Sequence, residues 1–117
     1  MITSRKLIVC FLIVSLFLCS WPQQNSASDS KKTLLIISAS WCNPCKRAEN
    51  DMSNNKSLKL KLISYNIISI DFDKDVEIVK AYNVRSVPTF ILTEDGKEIS
   101  RKSGYTTPQS LIKFLQQ

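Results

Sequence analysis

Residues 33–46 read TLLIISASWCNPCK. The stretch from Thr33 to Ala39 is a continuous apolar run, rich in β-branched residues and too short for an independent helix, so it predicts a buried strand. Pro44 suits the first turn of a helix, where a missing N–H costs nothing. The residues after it, KRAENDM over 46–52, are mostly good helix formers, so a helix is predicted from Asn43 to Met52. Cys42 and Cys45 therefore fall at a strand-to-helix junction. A thiol at a helix N-terminus faces unsatisfied N–H groups and the positive end of the macrodipole, and both favour thiolate. In a Cys-x-x-Cys setting this can bring the pKa from about 8.5 toward about 7, and Lys46, with Arg47 beside it, adds potential of the same sign. One turn on, Cys45 is expected deeper against the sheet and within reach of Cys42. That division of labour suits attack by Cys42 on a disulfide and release by Cys45.

Downstream, Ser53-Asn54-Asn55 breaks the pattern. Lys56–Leu62 alternates like a strand, but Leu58 and Leu62 also suit a helix, and a short helix is predicted. Asn66–Phe72 (NIISIDF) predicts a buried strand, and Asp73–Tyr82, with Val76, Val79 and Tyr82 at helical spacing, a helix. Pro88–Thr93 and Lys97–Lys102 predict two strands joined by Glu94-Asp95-Gly96, whose Asp-Gly pair favours a hairpin. Thr107-Pro108 opens a last helix with Leu111, Phe114 and Leu115 on one face. The order β-α-β-α-β-β-α over residues 33–117 is an α/β fold, with a central mixed sheet flanked by helices. The chain's 2 glycines, Gly96 and Gly104, leave no phosphate-cradling loop.

Upstream, Arg5 and Lys6 precede the apolar run Leu7–Cys19 (LIVCFLIVSLFLC), which ends well short of the ~20 residues a membrane-spanning helix needs. Residues 1–27 thus read as a secretory signal with cleavage near Ala27, and 28–32 as a polar linker. A lipid anchor on Cys19 and an uncleaved membrane anchor are the alternatives; Cys10 is an apolar residue of the run. The expected location is exported, periplasmic or extracytoplasmic. Beyond residue 27 the 16 basic residues become 14 by loss of Arg5 and Lys6, against the same 10 acids, so the charge falls from +6 to +4. No basic run interleaves with aromatic residues, so no nucleic-acid partner is expected.

The chain has no histidine, which excludes Ser-His-Asp and Cys-His nucleophiles and HExxH metal sites. Two cysteines beyond residue 27 cannot complete the four ligands of a structural zinc, so no metal is expected. A bridge closing so short a loop removes little chain entropy, which makes the pair more useful as chemistry than as a staple.

The run Ser40-Trp41-Cys42-Asn43-Pro44-Cys45-Lys46 resembles the thioredoxin active-site motif Trp-Cys-x-Pro-Cys-Lys. Downstream the likeness continues through Ile70-Asp71 at a strand end, a helix, Val87-Pro88-Thr89, an acidic-Gly-Lys hairpin and Gly104. The resemblance implies a trimmed thioredoxin-like fold without the usual opening strand and helix. It implies a cis Pro88 beside the cysteines, Val87 backbone pairing with an extended substrate, Trp41 at the rim, and Pro44, Thr89 and Gly104 completing the groove. It further implies a thiol–disulfide oxidoreductase that works as a monomer on protein disulfides or thiols, with no cofactor beyond the Cys42–Cys45 pair. Reduction in an oxidising compartment needs electrons from a membrane thiol-transfer partner. Thioredoxins usually carry a buried Asp six residues before the first cysteine and a Lys on the next strand; Ile36 and Ile67 stand there, removing a proton acceptor for Cys45. Two other readings stay open: a non-catalytic peptide-binding or assembly protein, and a thiolate Cu(I) carrier.

Overall fold

The apolar run forms β1 (Thr33–Ser38). It stops one residue early because the Ala39 carbonyl turns to accept the Cys42 N–H at 3.1 Å. In this computed structural model, which describes residues 31–117, β1 is an interior strand. The signal, anchor, Cys10 and Cys19 readings lie outside the described residues. β1 runs parallel to β2 (Asn66–Asp71) and antiparallel to β3 (Thr89–Glu94), which pairs antiparallel with β4 (Lys97–Ser103). The sheet order is β2-β1-β3-β4, the expected mixed sheet.

Among the described residues four helices cover it: α1 (Asn43–Asn54), α2 (Lys56–Leu62), α3 (Val76–Ala81) and α4 (Pro108–Phe114). Strand side chains alternate between faces. Leu34, Ile36, Phe90 and Leu92 accordingly pack with Ala48, Leu58 and Leu111 from α1, α2 and α4. Leu35, Ile37 and Ile91 go to the other face, against Val79 of α3 and Val84. Each such Leu, Ile or Phe contributes about 1.5–3 kcal/mol by leaving water.

The break between the first two helices is a single residue, because Ser53 and Asn54 remain helical and bond back to Glu49 and Asn50. Asn55 alone leaves the helix. Its N–H reaches the Asp51 carbonyl, while its side-chain oxygen accepts the Leu58 N–H at 3.0 Å, so one residue closes α1 and caps α2. Asp95 (φ 50°) and Gly96 (φ 77°) supply the left-handed pair of the β3–β4 hairpin.

Two expectations are corrected. α3 begins at Val76 rather than Asp73, because Asp71 Oδ1 accepts the N–H groups of Asp73 and Lys74, and Asp75 Oδ2 accepts that of Asp71. These carboxylates satisfy the backbone as a turn instead. β2, read as a buried strand, lies at the edge of the sheet among the described residues, with its first four residues exposed and Ile70 buried. An apolar run reads alike in either position; the neighbours it acquires decide.

Candidate active site

Cys42 is the N-cap of α1, in extended backbone (φ −87°, ψ 108°), and its Sγ accepts the Cys45 N–H at 3.2 Å. The two sulfurs are joined as a disulfide, with Cα atoms 5.3 Å apart. Both cysteines are buried, Cys42 4% and Cys45 1% exposed, in a cluster with Ala39 against which Phe72 and Val87 pack. No acidic residue occupies the first turn of α1, so nothing offsets the positive helix end facing the sulfurs. Pro44 sits half-buried in that turn, and Lys46 follows with its side chain exposed and its N–H bonded to the Cys42 carbonyl at 3.2 Å.

The opposite wall comes from the segment before β3. The Val87–Pro88 peptide is cis, Pro88 is buried, and Val87 stays half-buried beside the cysteines. The Pro88 carbonyl accepts the Gly104 N–H at 2.8 Å, with Gly104 at φ 81°, so the end of β4 is fastened to the cis-proline turn. Thr89 is buried and its hydroxyl donates to the Ser86 carbonyl at 2.7 Å. Its side chain therefore holds the turn and is not open to the groove. Trp41 is 62% exposed at the rim, where its indole N–H donates to Asp73 Oδ2 at 2.9 Å.

Two further contacts escaped sequence reading. Asp73 fixes the Trp41 ring from a segment 32 residues away. The Tyr105 hydroxyl donates to Asp51 Oδ2 at 2.6 Å, tying the cysteine-bearing helix to the segment after Gly104. Burial first, then this hydrogen bond, pushes the Tyr105 phenol well above the ordinary tyrosine range, so it remains a donor at neutral pH. No local pattern announces an ordinary Asp and Tyr as partners at that separation.

On the sheet face covered by α1 and α2, in a packing cluster separate from that of the cysteines, Ile36 is buried, and Ile67 on the same face is 43% exposed. Both line an open groove of about 400 Å³ with Met52, Leu62 and Ile63, while exposed Glu49 and Lys59 also reach it. The register sets Ile36 opposite Ser69 and Ile67 opposite Leu34, so the two isoleucines are diagonal neighbours on one face. At positions 36 and 67 the groove is apolar where an ion pair was the alternative, and its charged groups, Glu49 and Lys59, come from α1 and α2. Among the described residues, no group of three or more His, Cys, Asp or Glu could hold a metal ion.

A family model described as a thioredoxin-like domain matches residues 23–117. The thioredoxin of Chlamydia trachomatis is 35% identical over 95 residues, covering 80% of this chain and 90% of that protein. Thioredoxin-1 of Drosophila melanogaster is 37% identical over 79 residues, 67% of this chain and 71% of its own length. Among solved structures, the thioredoxin from Trypanosoma brucei brucei superposes with a TM-score of 0.65 at 29% identity, over 74% of each chain. A thioredoxin-fold protein from Helicobacter pylori reaches 0.70 at 21% identity, over 75% of this chain and 68% of that one, a likeness of fold. With a disulfide-capable Cys-x-x-Cys capping a helix opposite a cis-proline turn, the chain belongs to the thioredoxin-like family and is a thiol–disulfide oxidoreductase.

Proposed function

We propose that the protein reduces disulfides of extracytoplasmic polypeptides through a mixed disulfide. The observation that carries this reading is Cys42 at the N-cap of a helix with no first-turn acid, with Cys45 behind it and Val87 beside it. Cys42 thiolate attacks a substrate disulfide, forming a Cys42–substrate bond and expelling one substrate thiolate, which takes up a proton. Cys45 then loses its proton and attacks the Cys42 sulfur. The second substrate thiol leaves, two electrons have passed to the substrate, and the Cys42–Cys45 disulfide remains. With isoleucine at positions 36 and 67, the Cys45 proton passes to solvent or to the departing substrate thiolate.

Recognition rests on Val87. Its N–H and C=O make no backbone hydrogen bond among the described residues, which leaves them for an extended substrate strand. Trp41, Pro44 and Gly104 border the same groove, while Thr89 and Pro88 hold its wall. The basic, apolar, then polar order of residues 1–27 supports export, and a membrane thiol-transfer protein would return the two electrons.

Insulin reduction with dithiothreitol as electron source tests the assignment. Wild type should accelerate precipitation of the insulin chains and Cys42→Ser should not; acceleration by Cys42→Ser overturns the mechanism. Mass spectrometry of the mature N-terminus separates cleavage near Ala27 from a lipid on Cys19.

A further inference from the structure

Among the described residues β2 lies at the edge of the sheet, yet it carries the side chains of an interior strand. Ile67 and Ile68 point to opposite faces and are 43% and 44% exposed. Leu60 and Ile63, at the end of α2 just before this strand, are exposed as well. Edge strands ordinarily resist pairing through charges, proline or bulges. Asn66 to Ile70 contains neither a charge nor a proline, and its register with β1 is uninterrupted. β4, the opposite edge, has those defences: Lys97, Glu98, Arg101 and Lys102, and a register shift against β3 at Leu92/Thr93.

We propose that β2 pairs antiparallel with β2 of a second copy about a two-fold axis normal to the sheet, joining two four-stranded sheets into one. Charge along the strand favours this occupant. Lys59 and Lys61 lie near its start, whereas Asp71, Asp73 and Asp75 cluster at its end, where Lys74 pairs with Asp71 at 3.8 Å and leaves a net negative charge on Asp73 and Asp75. Neither Lys59 nor Lys61 has a salt-bridge partner among the described residues. Antiparallel self-pairing brings each copy's basic end beside the other's acidic end, twice by symmetry.

The side chains fit the same operation. Directly opposed residues of an antiparallel pair share a face. A pairing centred on Ile68 therefore sets Ile68 against its own symmetry mate and each Ile67 against the small Ser69 of the partner. Each Ile67 then faces the open side of the groove lined by Ile36, Met52, Leu62 and Ile63. Since stable specific interfaces bury about 1,200 Å² or more in total, one short strand with a helix-end patch makes a reversible dimer. The monomer expected from sequence then holds only at low concentration. The inference is independent of the Cys42–Cys45 chemistry.

Sedimentation velocity of the full chain over a wide concentration range, at low and high salt, provides the test. The expected result is a concentration-dependent dimer that weakens with salt. Ile68→Lys, at an exposed position, should weaken dimerisation by at least about tenfold by setting two ammonium groups across the axis, while insulin reduction by the monomer persists. In a background with Cys10, Cys19, Cys42 and Cys45 all replaced by Ser, Ile68→Cys should oxidise to a covalent dimer. A monomer at every concentration overturns the proposal, as does association that Ile68→Lys leaves intact, which would point to residues 1–30 or another surface. Slow amide exchange across β2 in a monomer also overturns it, since the edge would then be covered from within the chain.

Discussion

The cysteine site and the strand floor six residues back along the chain differ in what they keep. At the site, Cys42 caps a helix, Trp41 stands at the rim, the Val87–Pro88 peptide is cis and Gly104 is bonded to the Pro88 carbonyl. At the floor, Ile36 and Ile67 line a largely apolar groove, at the two positions where the thioredoxin resemblance implies an acid and a base. The features that favour thiolate at Cys42 are mostly backbone: a helix terminus and its free N–H groups. They persist whatever the core side chains are. A built-in proton acceptor for Cys45 would be a side chain, and isoleucine at positions 36 and 67 supplies none. In the proposed mechanism, attack and resolution are thus physically separable, the first favoured by the local chain and the second left to solvent and substrate.

The largest expected effect separates the two steps directly. Cys45→Ser should reduce insulin turnover to background while a Cys42–substrate mixed disulfide accumulates, seen as a mass adduct that dithiothreitol removes. Turnover surviving in this variant would show that resolution does not need Cys45. Next comes the floor. Ile36→Asp alone buries a carboxylate with no partner beside an apolar groove, and should destabilise the fold by about 3 kcal/mol in urea titration. Adding Ile67→Lys should recover part of that loss, because position 67 reaches water and its ammonium can turn toward the new carboxylate. If an acceptor is what the floor lacks, the double variant should also resolve its mixed disulfide faster, by roughly tenfold to a hundredfold. An unchanged resolution rate would place the slow step elsewhere and make the apolar floor irrelevant to chemistry.

Gly104→Ala asks whether the site depends on its backbone as closely as the comparison requires. A Cβ there would meet nothing within 4 Å, so only the φ of 81° opposes it. The expected loss is about 1–2 kcal/mol of stability. The Pro88 carbonyl bond should loosen with it, raising the KM for insulin more than it lowers kcat; equal KM values would remove Gly104 from the substrate wall.

What could be read in the chain divides along the same line. β1, the cysteine turn and α1 were legible because an apolar run, a proline and a stretch of helix formers are local instructions, and the Asp95-Gly96 turn is another. The cis state of Pro88 followed from the motif likeness, not from any local preference. The edge position of β2 was not legible, since Asn66–Phe72 has the same composition beside one strand or between two. Neither was the late start of α3, where Asp71, Asp73 and Asp75 could cap a helix or fold a turn, and the carboxylate bonds to the Asp71, Asp73 and Lys74 N–H groups made the turn. The Trp41–Asp73 and Tyr105–Asp51 contacts join common residues across 32 and 54 positions, and only the assembled sheet brings them together.

The smallest effect concerns the strap that holds the site's helix against the segment after Gly104. Tyr105→Phe keeps the buried ring beside Phe90 (6.3 Å between centroids) and removes only the hydroxyl that Asp51 accepts. The expected cost at neutral pH is about 1 kcal/mol. Its pH dependence identifies the cause. A phenol whose pKa is raised in the folded state is held neutral there, so its stabilisation is complete below the unfolded value of about 10 and is lost as pH rises beyond it. Wild-type urea midpoints should therefore fall above about pH 10, and Tyr105→Phe should fall less steeply. Some alkaline loss should remain in the variant, because burial also raises the Tyr65 phenol, which donates to the Leu115 carbonyl. Identical alkaline slopes in wild type and variant would mean that the Asp51 bond does not hold α1 in place, and that the cysteine helix rests on its apolar packing alone.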